Sequence, residues 1–180
     1  RREFKKHRNV SYHMGHVKNI DVKAKEVTTS YETIKYDKLI LAAGSTNNYF
    51  GMDSLAEETF GIKTVAEAAH TRDEILDRFE RGALCRDKAR RRELLTFLVV
   101  GGGPAGVEIA GALGEMKKYI LKKEYPELEP DDITITLVEG TGSLLGAMRP
   151  QSQAYALKTL KKLMVNVRLN TVLKDYSDKY

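Results

Sequence analysis

Thr96-Phe97-Leu98-Val99-Val100-Gly101-Gly102-Gly103-Pro104-Ala105-Gly106-Val107-Glu108-Ile109-Ala110-Gly111-Ala112-Leu113 is an apolar run that breaks into glycines and resumes with helical spacing. It predicts a strand, a tight turn and a helix. Gly101, Gly103 and Gly106 fit G-x-G-x-x-G: the first allows the turn, the second lets backbone approach a pyrophosphate, and the third lets helix pack close to strand. Unpaired N–H groups and the positive dipole end of the helix then face the diphosphate. Pro104 fits this placement, because near a helix start it removes a donor that would be orphaned anyway.

Glycine triplets also occur in plain turns, so the flanks decide the reading. Leu98-Val99-Val100 is apolar on both faces, as a central parallel strand under helices should be. Behind the turn, Val107, Ala110, Leu113 and Ile120 recur at helical intervals, and Ala105, Gly111, Ala112 and Gly114 keep the helix slim. Downstream, Ile133-Thr134-Ile135-Thr136-Leu137-Val138-Glu139 predicts a second strand that ends in an acid. A carboxylate there accepts hydrogen bonds from the adenosine ribose diol and repels a 2′-phosphate. The interval from Gly106 to Glu139 exceeds the usual ~20 residues; a long helix and the polar, proline-punctuated insertion Lys122 to Asp132 account for the excess. Gly140-Thr141-Gly142-Ser143 supplies no arginine, which favours NADH over NADPH. Ser152 to Met164 predicts a further helix, with Tyr155, Leu157, Leu160, Leu163 and Met164 apolar, and Val165 to Leu169 the next strand. Alternating strands and helices give a Rossmann-like α/β parallel sheet.

The first third of the chain has a different rhythm. Val10–Met14, His16–Asp21, Glu26–Thr29 and Thr33–Tyr36 alternate near a period of two, with turns at Lys23-Ala24-Lys25 and Ser30-Tyr31-Glu32. They predict a small antiparallel β-meander with one wet face. Lys38 to Ala42 changes to an unbroken apolar strand that closes on Ala43 and Gly44, small residues that allow a ligand close approach. Asn47 to Gly61 is a polar connection, which puts the division into residues 1–57 and 58–180. Thr64-Val65-Ala66-Glu67 is a capping box. The helix behind it should run to about Arg81, with Val65, Ala68, Ala69, Ile75, Leu76 and Phe79 on its buried side.

Composition excludes several classes. The 180 residues include one cysteine, Cys85, so no internal disulfide, C-x-x-C pair or thiolate cage can form among them. A reducing, cytoplasmic setting is the expectation. No run approaches the ~18 apolar residues of a membrane span. The net charge of +5 does not indicate nucleic acid. Its densest cluster, Arg86, Lys88, Arg90, Arg91 and Arg92, is broken by Asp87 and Glu93 and lacks aromatic residues for base stacking; it reads as a solvated approach to the strand. His70 has no second ligand at metal-binding spacing. The opening at Arg1-Arg2 and the close at Asp175 to Tyr180 read as those of an excerpt.

With both glycine sites in view, the chain resembles the flavin-dependent pyridine nucleotide-disulfide oxidoreductase superfamily, and within it the type II NADH dehydrogenases. Tyr36-Asp37-Lys38-Leu39-Ile40-Leu41-Ala42-Ala43-Gly44 is similar to the family's Y-D-x-L-V-x-A-T-G, although Ala43 replaces its threonine. Asn48-Tyr49-Phe50-Gly51 resembles N-Y-F-G. Phe97 to Glu108 resembles F-V-V-V-G-G-G-P-T-G-V-E, the most specific motif of the three. The resemblance implies the central part of an enzyme that moves a hydride from NADH to FAD and then two electrons to a quinone. The alternatives are a relative with another acceptor, such as a ferredoxin reductase or NADH oxidase, and a non-catalytic NAD-binding redox module.

By the same resemblance Gly101, Gly102, Gly103, Pro104, Ala105, Gly106 and Glu139 would hold NADH, and Ala43 and Gly44 would lie against FAD. Glu108, placed on the first turn of the helix, would lie near the nicotinamide. The resemblance also implies a peripheral location on the inner face of the cell membrane, with membrane contact through regions outside these residues, and allows a homodimer.

Overall fold

The computed structural model describes residues 6–49, 51, 52 and 54–174. Phe50 of the N-Y-F-G resemblance, Arg1-Arg2 and Asp175 to Tyr180 lie outside the described residues. Contacts divide the chain into two compact units, one ending at Ser45 and the other beginning at Thr46.

The first unit is an antiparallel meander of β1 (Val17–Asp21), β2 (Glu26–Thr29) and β3 (Thr33–Lys35), paired in that order. Ile20, Val27 and Ile34 stand in register across the three strands. Side chains close both turns. The Asp21 carboxylate accepts the N–H groups of Lys23 and Ala24 at 2.9 and 2.8 Å. Thr29 Oγ1 accepts those of Tyr31 and Glu32 at 3.2 and 3.1 Å, a competition for backbone donors that suits such residues to turns.

Three expectations fail in this unit. Val10 to Met14 is not a strand. The meander has no dry face, since none of its described residues is buried. Lys38 to Ala42 is not a strand either: it runs as irregular chain, with Ile40 88% exposed. A strand is held by its neighbour's hydrogen bonds, and none of the described strands pairs with this segment.

The second unit is built on a parallel sheet of β4 (Thr96–Val100), β5 (Thr134–Val138) and β6 (Asn166–Arg168), in that order. Val99, Leu137 and Val167 are in register. A short helix α1 (Ser54–Glu58) lies within the connection expected to be polar and brings Leu55 into burial. Helix α2 (Val65–Leu84) begins at the reciprocal Thr64–Glu67 capping box. It buries Phe79 and Gly82 near its C-terminal end, while Val65 is 89% exposed and Leu76 is exposed as well. Phe79 stacks on Phe97 and on Tyr125, each with ring centroids 5.6 Å apart, so this end of α2 is the part that meets the sheet.

The basic cluster is itself a helix, α3 (Lys88–Leu94). Asp87 caps it by accepting the N–H groups of Ala89 and Arg90. Arg91 turns inward. It donates twice to the Cys85 carbonyl and pairs with buried Asp132 at 3.3 Å. The solvated-approach reading missed this because an ion pair between residues 41 apart leaves no local sequence signature.

Helix α4 (Pro104–Glu115) continues through a π-helical turn (Met116–Ile120) into α5 (Leu121–Glu124). The insertion that follows is not merely polar: Leu128 is buried before a 3-10 turn (Pro130–Asp132) leads into β5. Lys117 Nζ donates to the Ile133 carbonyl at 2.7 Å, and desolvation lowers its ammonium pKa against the opposing field of Asp131. Helix α6 (Pro150–Lys162) buries Ala156 and Leu160; Tyr155, expected on its apolar side, is 72% exposed.

The core gathers Phe79 of α2, Ala110 and Leu113 of α4, and Ala156 and Leu160 of α6 against Phe97, Val99, Ile135 and Leu137 of the sheet. All of these sheet residues share one face. β4 was expected to be central and buried on both sides. It is an edge of the described sheet instead, and Leu98 and Val100 on its other face are 48% and 54% exposed. Alternation set by the pleat, with helices over one side only, separates these residues from Phe97 and Val99.

Candidate functional site

The sheet delivers its β4 end to a turn whose glycines have distinct roles. Gly101 N–H donates to the Val138 carbonyl at 2.9 Å, which extends the β4–β5 ladder by one bond. Gly101 then takes φ of +102°, a conformation that L side chains disfavour. Gly106 faces the turn from inside α4: a Cβ there would stand 1.9 Å from the Gly101 carbonyl oxygen. Gly103 has open space where its Cβ would be. It is the N-cap of α4, and its missing side chain caps nothing. With Pro104 at the first helical position, the N–H groups of Ala105 and Gly106 remain for an incoming oxygen.

Gly102 occupies the motif's free position and is the most constrained of the three consecutive glycines. It is buried, and a Cβ would come within 2.7 Å of Leu144 Cδ2 and 3.0 Å of Glu139 Cβ. Its N–H donates to Glu139 Oε2 at 2.6 Å, and its carbonyl accepts the Leu145 N–H at 2.8 Å. The structure thus brings Glu139 directly onto the glycine turn across 37 residues. The other carboxylate oxygen, Oε1, accepts the Thr141 N–H at 2.7 Å. Burial alone would raise the Glu139 carboxyl pKa, but the hydrogen bonds from Gly102 and Thr141 prevail and hold it below the usual range.

Glu139 also has both of its backbone groups engaged. Its N–H donates to the Arg168 carbonyl, and its carbonyl accepts the Thr171 N–H, each at 2.9 Å. Asn170 N–H donates to the Thr141 carbonyl at 3.0 Å. The loop after β5 is therefore fastened on one side to the chain after β6 and on the other to the glycine turn. The sequence marked Glu139 but not its fastening to Gly102 and Thr141. The available signal was a third consecutive glycine where the motif needs none.

Glu108 is exposed and lies in the second turn of α4, not the first: counting from N-cap Gly103 it is the fifth helical residue. It borders a groove between α4 and α6 that also includes Gly111, Ala112, Tyr155 and Thr159. Ala43 and Gly44 belong to the other compact unit. Both are exposed, and Gly44 has φ of +81° with nothing within 4 Å of a Cβ position. His70 packs its ring against Phe60 at 5.5 Å. Among the described residues no group of three His, Cys, Asp or Glu could hold a metal ion. Nor is any helix of those residues long and apolar enough to cross a membrane.

Comparison with known proteins gives the family and the fold. The family model of the pyridine nucleotide-disulphide oxidoreductases matches residues 2–179. The type II NADH:quinone oxidoreductase NdhA of Mycobacterium tuberculosis is 35% identical over 173 residues, covering 94% of this chain and 37% of the relative. Its counterpart Ndh from the same organism is 35% identical over 176 residues, covering 95% of this chain and 38% of the relative. Among solved structures, NDH2 of Plasmodium falciparum in complex with NADH shares the fold with a TM-score of 0.72 and 23% identity, covering 91% of this chain and 34% of that one. A ferredoxin reductase of Rhodopseudomonas palustris shares it with a TM-score of 0.62 and 13% identity, covering 98% of this chain and 37% of that one. The chain thus spans little more than a third of the curated relatives it matches.

Proposed function

The chain belongs to the pyridine nucleotide-disulphide oxidoreductase family, and from that premise we propose that it is the NADH-binding portion of a flavin-dependent NADH:quinone oxidoreductase. Residues 58–180 form the nicotinamide-nucleotide domain, and residues 1–57 are a strip of the flavin domain. The observation that carries this reading is the joint construction of the glycine turn and Glu139. A diphosphate is offered backbone N–H groups at the start of α4 beside a fixed carboxylate suited to a ribose diol. No basic residue occurs in Gly140-Thr141-Gly142-Ser143 to meet a 2′-phosphate.

The residues present fit NADH. Gly103 leaves room for a close approach, Ala105 and Gly106 supply donors, and the ionised Glu139 accepts from the ribose. FAD is the second cofactor of the proposed reaction and supplies the two-electron chemistry that links NADH to the quinone. Ala43 and Gly44, exposed in the described unit, do not by themselves make a flavin site, so this chain's contribution is on the nicotinamide side. There the chain binds the dinucleotide and sets its orientation. Glu108 is assigned to the nicotinamide end. Contact with a membrane, a location on its inner face and homodimerisation complete the proposal.

Full-length flavoprotein containing this chain should oxidise NADH with a soluble quinone, and NADPH much more slowly. Failure to turn over NADH with any quinone, alongside turnover with a ferredoxin-type acceptor, would overturn the quinone assignment. Glu108→Gln should slow flavin reduction in stopped flow without altering thermal stability. Unchanged reduction kinetics would return Glu108 to the surface of α4. Flotation with lipid vesicles and a mass measurement in solution test the membrane and dimer assignments.

A further inference from the structure

A charged acid at a strand end is sufficient, in the usual account, to favour a ribose diol over its phosphate. Here the carboxylate is also held. Oε2 accepts from Gly102 and Oε1 from Thr141, at 2.6 and 2.7 Å, so the plane of the carboxylate is set by two backbone donors on different loops. Leu144, buried against the missing Cβ of Gly102, and the Leu145 N–H on the Gly102 carbonyl keep those loops together. Thr141 is fixed in turn, its hydroxyl donating to the Ser143 carbonyl at 3.0 Å and its carbonyl accepting from Asn170.

We propose that Gly102 and Thr141 are the positioning residues of cofactor choice: their amides aim the remaining lone pairs of Glu139 at the two ribose hydroxyls, and discrimination against a 2′-phosphate depends on this tether as well as on the carboxylate charge. The inference rests on the reading that Glu139 meets the adenosine ribose. An untethered carboxylate can rotate away from a phosphate and lose much of its repulsion; a tethered one cannot. A Cβ at position 102 would push on both Leu144 and Glu139 at once, so a glycine in the motif's free position is required by the tether and not by the diphosphate.

The variant that separates tether from charge is Glu139→Asp, which keeps the carboxylate but shortens its reach to the two amides. Dissociation constants for NADH and NADPH, and KM and kcat with each, are to be measured on the flavoprotein carrying this chain. Glu139→Asp, Gly102→Ala and Thr141→Pro should each lower the NADH-over-NADPH preference by about tenfold or more, the scale of one lost charge-assisted hydrogen bond. The change should appear in KM for NADH more than in kcat, a split that a merely structural role would not produce. Thr141→Ala keeps the amide while removing the hydroxyl and should retain the wild-type preference.

If Glu139→Asp keeps the wild-type preference, charge alone suffices and the proposal is overturned. It is equally overturned if Gly102→Ala and Thr141→Pro weaken both nucleotides by the same factor. Should those two variants fail to fold, Glu139→Asp decides the matter. A different result, Glu139→Ala leaving the preference unchanged, would refute instead the assignment of Glu139 to the ribose.

Discussion

Leu39-Ile40-Leu41-Ala42-Ala43-Gly44 and Leu98-Val99-Val100-Gly101-Gly102-Gly103 look alike as sequence: an apolar run ending in small residues and glycine. They fold differently. The second becomes a strand whose first following glycine, Gly101, still bonds to the neighbouring strand, with a helix closing over it. The first lies as exposed irregular chain. Both Gly44 and Gly101 have positive φ, so conformation at the glycine does not separate them. The difference lies in what each glycine region touches. A Cβ at either Gly44 or Gly101 would meet nothing within 4 Å, but helix α4 brings Gly106 against the Gly101 carbonyl, 1.9 Å from where a Cβ would stand, and Gly44 has no such partner among its Cβ contacts. An apolar run supplies the capacity for a strand, and a paired neighbour supplies the hydrogen bonds that realise it.

The strongest test of this contrast is Gly106→Ala. Its Cβ would stand 1.9 Å from a backbone oxygen, so turn or helix must shift, and the expected loss exceeds about 3 kcal/mol in denaturant unfolding. Retention of wild-type stability would show that the turn yields freely. Next comes Leu137→Ala in the fully buried centre of β5, which should cost about 2–5 kcal/mol. The same truncation at exposed Leu41 should change stability by less than about 0.5 kcal/mol. A large effect at Leu41 would show that its segment is packed in solution. Gly44→Ala, with open space but positive φ, should cost only the backbone term, about 1 kcal/mol.

A further effect appears only in acid. With the Glu139 carboxyl pKa held below its usual 4.5, its hydrogen bonds stabilise the fold fully above that value. The contribution fades as pH falls through the lower folded-state pKa. Wild-type and Glu139→Ala unfolding curves should therefore converge as pH drops below about 4.5 and run parallel at neutral pH. A gap independent of pH would show that the carboxylate is not engaged.

Much of the fold was legible because its causes are local. The Thr64–Glu67 box closes within one helical turn, β2 runs from Glu26 to Thr29 as its alternation predicts, and Pro104 marks the first position of α4. Helix α3 has a local signal in its Asp87 cap, but the inward turn of Arg91 and the burial of Leu128 depend on partners elsewhere: Arg91 on Asp132, and Leu128 on a core gathered from several helices and the sheet. Val65, Leu76 and Tyr155 were placed inward from periodicity alone. Periodicity identifies a helix's apolar stripe, not how far along the helix a sheet lies beneath it.

The candidate site divides in the same way. G-x-G-x-x-G followed by an acid at the end of the next strand is determined by sequence, since Gly101, with its positive φ, and Gly106, against the Gly101 carbonyl, answer needs set within a few residues of chain. The clamp on that acid was decided only by tertiary structure. Gly102 and Glu139 are 37 residues apart, and what brings them within one hydrogen bond is the parallel pairing of β4 with β5, which sets the two strand ends side by side. Hydrogen bonds across a sheet depend on which strands become neighbours, and that is settled by burial of a shared core, a property of the folded chain that no single stretch of sequence contains.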